Sequence, residues 1–450
     1  MTILSEQKAK ELLTKVLKYS KADEIECNLD GSIGGNIRYA RNTVSTAGEE
    51  SDLVLAVQST FGKKTGTATI NEFDDASLEK VVRRSEELAK LAPENEEHMP
   101  LFGPQKYTPS KTYFESTANV TPENRAQAAE DSIAPSKKNK LVAAGFLEEF
   151  VKFSAIINNK GLFAYNKSTD VEFSVTIRTE DGKGSGWATR NFSDYKLLDT
   201  AKASSVAIQK SKGSVDAKAM EPGKYTVILE PAASVGLLGN MVRNFAQRAA
   251  DEGRSFLSYK AKDVEDAKDA QKAPKNKLGQ KMFDERVNIY TDPGHPIAPA
   301  APFSGDGYPR NRTNWIENGT VVNMPNSPYW AKKTGVAYVP NGGNIIMDGG
   351  DESLEEMIKN TRRGILVTRL WYIRSLDPQT LLYTGLTRDG TFYIEDGKIK
   401  YPIKNFRFNE SPIVMLNNIE ALGKPERIDG NMIPPMKIRD FTFSSLSDAV

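Results

Sequence analysis

Apolar positions along this chain switch between a helical and a strand period. Leu12, Leu13, Val16 and Leu17 share one side of a helix over residues 5–19. Ile25, Cys27 and Leu29 then alternate with polar residues over 23–30, the mark of a half-buried strand. GSIGG at 31–35 reads as a turn, with strands at 36–40 and 52–60 and a meander closed by 64–70. Asp74 or Asp75 caps a helix to about Leu91, with Leu78, Val81, Val82 and Leu88 inward. After a Pro-rich, charged loop at 92–109, Thr121-Pro122 opens another helix. Strands are expected at 146–158, 163–166 and 171–179, joined by the turn sequences NNKG and EDGKG, and a helix over about 195–210 ends at Gly213. This order of elements predicts antiparallel sheets with helices packed on them, an α+β fold.

Residues 218–223 are the expected boundary, giving an N-terminal α+β domain over 1–222 and a β-rich C-terminal domain over 223–450. Past the apolar strand at 224–229, Pro231 suits the first turn of a helix expected to reach Ala250. Val235, Leu238, Met241, Val242, Phe245 and Ala249 form its apolar face. Asn240, Arg243, Asn244 and Gln247 form the other, and Gly253 is the stop. Residues 260–277 are poor in apolar side chains and mixed in charge, so they read as a solvated insertion. Leu354, Met357 and Ile358 are the inner face of a short helix, and 364–370 is a strand apolar enough to be buried on both faces. Glu395 to Lys398 form a tight hairpin.

Composition narrows the function. A chain of 450 residues with 39% hydrophobic and 26% charged residues is an ordinary globular protein of two domains. Its net charge of +1 gives no reason to expect a nucleic-acid partner. No apolar run reaches the roughly 18 residues of a membrane helix. The amphipathic start is not a signal peptide, and the single cysteine, Cys27, excludes an internal disulfide. A cytoplasmic location is expected. Cys27 sits on the apolar parity of its strand and reads as a packing residue. His98 and His295 lie in polar, Pro-flanked segments without metal-ligand spacing and read as surface loop residues.

The segment 230–257, EPAASVGLLGNMVRNFAQRAADEGRSFL, resembles the core of the TldD/PmbA family, whose PmbA branch is also called TldE and which carries the description modulator of DNA gyrase. Stretches at 278–293, 303–321, 349–371, 377–412 and 434–445 match family patterns in the same order. In TldD-type members the paired leucines are followed by HExxxH: two metal-binding histidines and a glutamate that activates water. Here Gly239 stands at the first histidine, Asn240 at the glutamate and Asn244 at the second histidine. The family's distal cysteine has no counterpart after Asn417.

The resemblance implies a TldE/PmbA-like subunit without catalytic residues or bound metal. Zinc is then expected on a TldD-like partner, in a heterodimer enclosing a chamber for unfolded peptide. An extended peptide would pair with a sheet edge. Arg243, Gln247, Arg254 and Arg369 are candidates to face that peptide. For Arg369, with Arg374 and Arg388, surface ion pairing is the competing reading. A homodimer is expected when the chain is alone. An independent homodimeric peptidase and a peptide-binding protein remain alternatives.

Overall fold

The computed structural model describes residues 3–259 and 275–447. The N-terminal half is built on one six-stranded antiparallel sheet, ordered β3-β2-β1-β4-β5-β6. Its strands are β1 Glu24–Ala40, β2 Thr43–Phe61, β3 Lys64–Ile70, β4 Leu141–Asn158, β5 Phe163–Thr179 and β6 Ser185–Phe192. The helices are α1 Glu6–Tyr19, α2 Asp75–Leu91, α3 Glu115–Ala118, α4 Pro122–Lys138 and α5 Thr200–Gly213. Ser5, Asp74, Thr121 and Asp199 each cap a helix through the side chain, satisfying amides that the first turn leaves unpaired.

One sheet face carries odd-numbered side chains of β1 and β4. At one end, α1 and α2 cover Ile25, Cys27, Leu29, Phe153 and Ala155; at the other, α4 and α5 cover Ile37, Tyr39, Leu147, Phe173 and Val175. The other face carries even-numbered residues, among them Glu26, Glu148, Asp170 and Glu172, and burial raises all four carboxyls. The sheet's outer edge is open in part, because β2 pairs with β3 only from Leu55 to Phe61.

The expected turn at 31–35 is instead the middle of β1, in register with both neighbours. Its glycines serve packing. A Cβ on Gly34 would strike the Phe150 ring, and one on Gly35 would fall within the Arg125 guanidinium. Arg125 is buried and paired with Glu149 and, at 3.0 Å, with Glu49. The strand β6 was absent from the sequence reading, and the helix expected from Tyr195 begins at Thr200 after a 3-10 turn.

The C-terminal half starts with β7 Gly223–Leu229, α6 Pro231–Arg243 and α7 Gln247–Asp251. Then come β8 Ile289–Thr291, β9 Thr313–Glu317, β10 Thr320–Val321, α8 Pro328–Thr334, β11 Ile346–Met347, α9 Leu354–Lys359 and the long hairpin of β12 Arg363–Asp377 and β13 Leu382–Glu395. The last elements are β14 Lys398–Pro402, β15 Phe406–Glu410, α10 Pro412–Asn417, β16 Ile419–Leu422, β17 Glu426–Ile428, β18 Asn431–Ile433 and β19 Met436–Leu446. They form two sheets, β10-β9-β8-β11-β18-β17 and β12-β7-β19-β15-β13-β14, over a shared core. As expected of a strand buried on both faces, Ile365 and Val367 enter that core while Leu366 joins Met357 in a second cluster. Most of the expected insertion at 260–277 lies outside the described residues.

Polar and aromatic contacts join the halves. Lys210 pairs with Glu230 at 2.7 Å in a half-buried setting. Buried Asp389 accepts from Ser185 Oγ at 2.5 Å and from Arg369, whose guanidinium lies over Trp187. The linker at 92–114 adds Tyr107 Oη donating to Gly307 O and Ser110 Oγ donating to Ala300 O. Among the described residues, no helix is long and apolar enough to cross a membrane.

Candidate functional site

The expected continuous helix over 231–250 is broken. It ends at Arg243, with Asn244 as the cap residue, and α7 follows three residues later. The break comes from packing: Phe245 turns fully inward and meets Phe256 edge-on at 5.7 Å, while Ser255 Oγ donates to Asn244 O. The buried stripe of α6 is Ala233, Ser234, Leu237, Leu238 and Met241. Val235 and Val242, placed inside by the sequence reading, are only partly buried.

That rotation aims Val235, Gly236, Gly239, Val242 and Arg243 into a cavity of about 570 Å³. The facing walls are Trp315, the loop Asn341-Gly342-Gly343-Asn344 and the Asp429–Asn431 corner between β17 and β18. The loop is pinned through Asn344, whose carboxamide donates to Asp292 O and Ala298 O and accepts from Thr291 Oγ1 and the Asp292 amide. Asn431 fixes the corner by accepting from the Ile345 amide at 2.8 Å and donating to Asp429 O. Asp429 adopts positive φ. Crowding by protein, together with the Asp170 carboxylate, raises its carboxyl above the usual range.

Gly239, Asn240 and Asn244, the positions that the resemblance sets against HExxxH, spread around the helix end. Gly239 lines the cavity, and the Arg243 guanidinium lies over it: a Cβ on Gly239 would stand 3.4 Å from Arg243 Nη1. Asn240 Oδ1 holds that guanidinium, accepting from Nη2 at 2.7 Å. Asn244 turns its carboxamide to Asn240 O at 2.8 Å and Tyr383 Oη at 3.4 Å.

Zinc does not fit this set. Gly239 has no side chain, carboxamides bind zinc poorly beside imidazole, and the Arg243 guanidinium lies over position 239. Among the described residues, no group of three or more His, Cys, Asp or Glu side chains could hold a metal ion.

The other expected chemistry lies elsewhere. Cys27 is fully buried in the β1 core, and burial pushes its thiol up. The histidines are less free than surface loop residues. His98 Nε2 meets buried Glu24 at 3.2 Å, and His295 Nδ1 accepts from the Ile297 and Ala298 amides while burial lowers its pKa.

Of the four candidate peptide-facing residues, Arg243 alone is among those lining this cavity. Gln247 is locked between Pro325 O, Asn326 and Asp251. Arg254 is exposed and paired with Glu252. Arg369 is committed to Asp389 at the seam between the halves, Arg388 stacks on Trp371, and Arg374 stacks on Tyr372. Sequence reasoning missed Trp315, Asn341 and Asp429, because distant loops bring them to the helix. The one signal in the chain was the Asp429-Gly430-Asn431 turn, which lies in the region where the family resemblance looks for a cysteine.

Family profiles match most of the chain. The PmbA/TldA metallopeptidase C-terminal domain matches residues 222–445, the central domain 115–210 and domain 1 residues 31–89. A metalloprotease of Methanothermobacter thermautotrophicus is 23% identical over 302 residues, which is 61% of this chain and 61% of that protein's length. The metalloprotease PmbA of Escherichia coli O157:H7 is 21% identical over 442 residues, 94% of this chain and 88% of its own. The fold is similar to TldE from Thermococcus kodakarensis, with a TM-score of 0.84 at 19% identity over 98% of this chain and 100% of that one. A Thermotoga maritima protein described as a proposed modulator of a DNA gyrase gives 0.83 at 16% identity over 97% and 100%. The chain belongs to the PmbA/TldD metallopeptidase family.

Proposed function

We propose that this chain is the TldE/PmbA-like, non-catalytic subunit of a two-subunit metallopeptidase that degrades or processes unfolded peptides in the cytoplasm. A TldD-like partner carries the zinc and the catalytic glutamate. The observation that carries the reading is Arg243 lying over Gly239, a cation where the family motif places a metal ligand. This subunit supplies chamber wall and interface. The outer edge of β2 over residues 43–54 pairs with no strand among the described residues, which supports an extended peptide lying along it. The opposite charges around the α6 cavity hold or orient peptide without cutting it.

The test measures zinc content and peptide cleavage by the chain alone and with a TldD-type protein. The expected result is no stoichiometric zinc and no cleavage alone, a homodimer by gel filtration, and cleavage that needs both proteins together. An independent homodimeric peptidase is the second reading, favoured by the name metalloprotease on both curated relatives. Chelator-sensitive turnover by the chain alone would establish it instead.

A further inference from the structure

The α6 cavity contains two opposite charges, and among the described residues neither has a protein counter-ion. Arg243 rises from the helix wall, bonded to the neutral Asn240 carboxamide, and takes part in no ion pair. Asp429 stands at the β17–β18 corner of the same cavity and likewise has no ion-pair partner. Its neighbours Asp170 and Glu172 carry the same sign. Both residues are exposed, so each charge is open to a ligand group of the opposite sign.

The walls between them suit a small polar molecule. Gly236 and Gly239 on one side and Gly342 and Gly343 on the other leave backbone rather than side chains at the surface. Asn341 also lines the cavity. Trp315, only 1% exposed, is part of the wall, and its Nε1 hydrogen lacks a partner. At about 570 Å³, the cavity is in the range of small-ligand sites.

We infer that this cavity binds a small zwitterion bearing both a free carboxylate and a free ammonium group, with Arg243 taking the carboxylate and Asp429 the ammonium. Two sources share that chemistry, a free α-amino acid and a short peptide with both ends uncapped. The inference deepens the non-catalytic reading and rests on it in one respect: a bound peptide persists because nothing in the site cleaves it.

Calorimetric titration of the full-length chain tests it, with alanine, tri-alanine, N-acetyl-tri-alanine and tri-alanine amide as probes. Binding of alanine or tri-alanine is expected, and which of them binds tighter assigns the source. Amidation should weaken binding at least tenfold, and so should acetylation. Arg243→Gln should abolish the preference for a free carboxylate and leave that for a free amine, Asp429→Asn should do the reverse, and Arg243→Lys should keep part of the affinity. Thermal melts of each variant establish that it is folded. No binding of either uncapped probe to the folded chain, or equal binding of capped and uncapped peptides, overturns the inference. Neither outcome touches the non-catalytic reading, which falls only if the chain alone hydrolyses peptides.

Discussion

The Arg243 guanidinium stands 3.4 Å from the point where a Cβ on Gly239 would be, and Asn240 Oδ1 holds it there at 2.7 Å. The helix end that would carry a metal motif is thus filled by a positive charge from one turn further on. A histidine at position 239 would have to displace that charge, and any metal beside it would be repelled.

That relationship sets the outcome of rebuilding the motif. A Gly239→His, Asn240→Glu, Asn244→His variant should bind zinc only weakly and should not cleave peptides, since the distal cysteine and supporting hydrogen bonds are missing. Adding Arg243→Ala should tighten zinc binding by about tenfold or more, because one nearby like charge is removed. Competition against a chromophoric chelator measures both; equal affinity with and without Arg243 would show that its charge is screened from the site.

Gly35 is required by its neighbours rather than by its backbone. Gly35→Ala drives a methyl group into the Arg125 guanidinium and disrupts its pairing with Glu149. A loss of about 2–4 kcal/mol in urea unfolding is expected, as for breaking a buried ion pair. Gly48→Ala, with nothing within 4 Å of the new methyl, should be close to neutral. Similar costs at the two sites would count against the packing account.

Glu172 lies across the strand pair from Glu148, and burial with the nearby Asp429, Glu148 and Asp170 charges raises its carboxyl to about 7. The folded state therefore holds this proton more tightly than the unfolded state, whose carboxyl titrates near the ordinary 4.5. Stability from this group is full below about pH 4.5 and is lost as pH rises toward 7. Glu172→Gln should raise Tm by about 1–3 °C at pH 8 and leave it unchanged at pH 4.5. A gain of the same size at both pH values would argue against the titration.

Asp389 joins the halves by accepting from Ser185 and Arg369 while itself fully buried. Asp389→Asn leaves Arg369 half-buried against Trp187 without its counter-charge. A loss of about 3 kcal/mol is expected, with faster proteolysis between the two halves. Wild-type Tm and proteolysis would mean that apolar contacts alone hold the seam.

Much of the architecture is legible in local chemistry. Ser5, Asp74 and Thr121 announce their helices, and Ile25, Cys27 and Leu29 give the parity of β1, because caps and strand alternation are set within a few residues. The resemblance also located the α6 segment, where a glycine offers no side chain to ligate zinc in any fold. Tertiary structure decided what local signals cannot carry. GSIGG became strand interior because Phe150 and Arg125, over a hundred and about ninety residues away, need the space its missing side chains leave. The helix broke after Arg243 because burying Phe245 against Phe256 outweighs continuing a helical pattern. Arg243 and Asp429 came to face one cavity because the β17–β18 corner folds back onto α6, a closure of distant chain segments that no local pattern encodes.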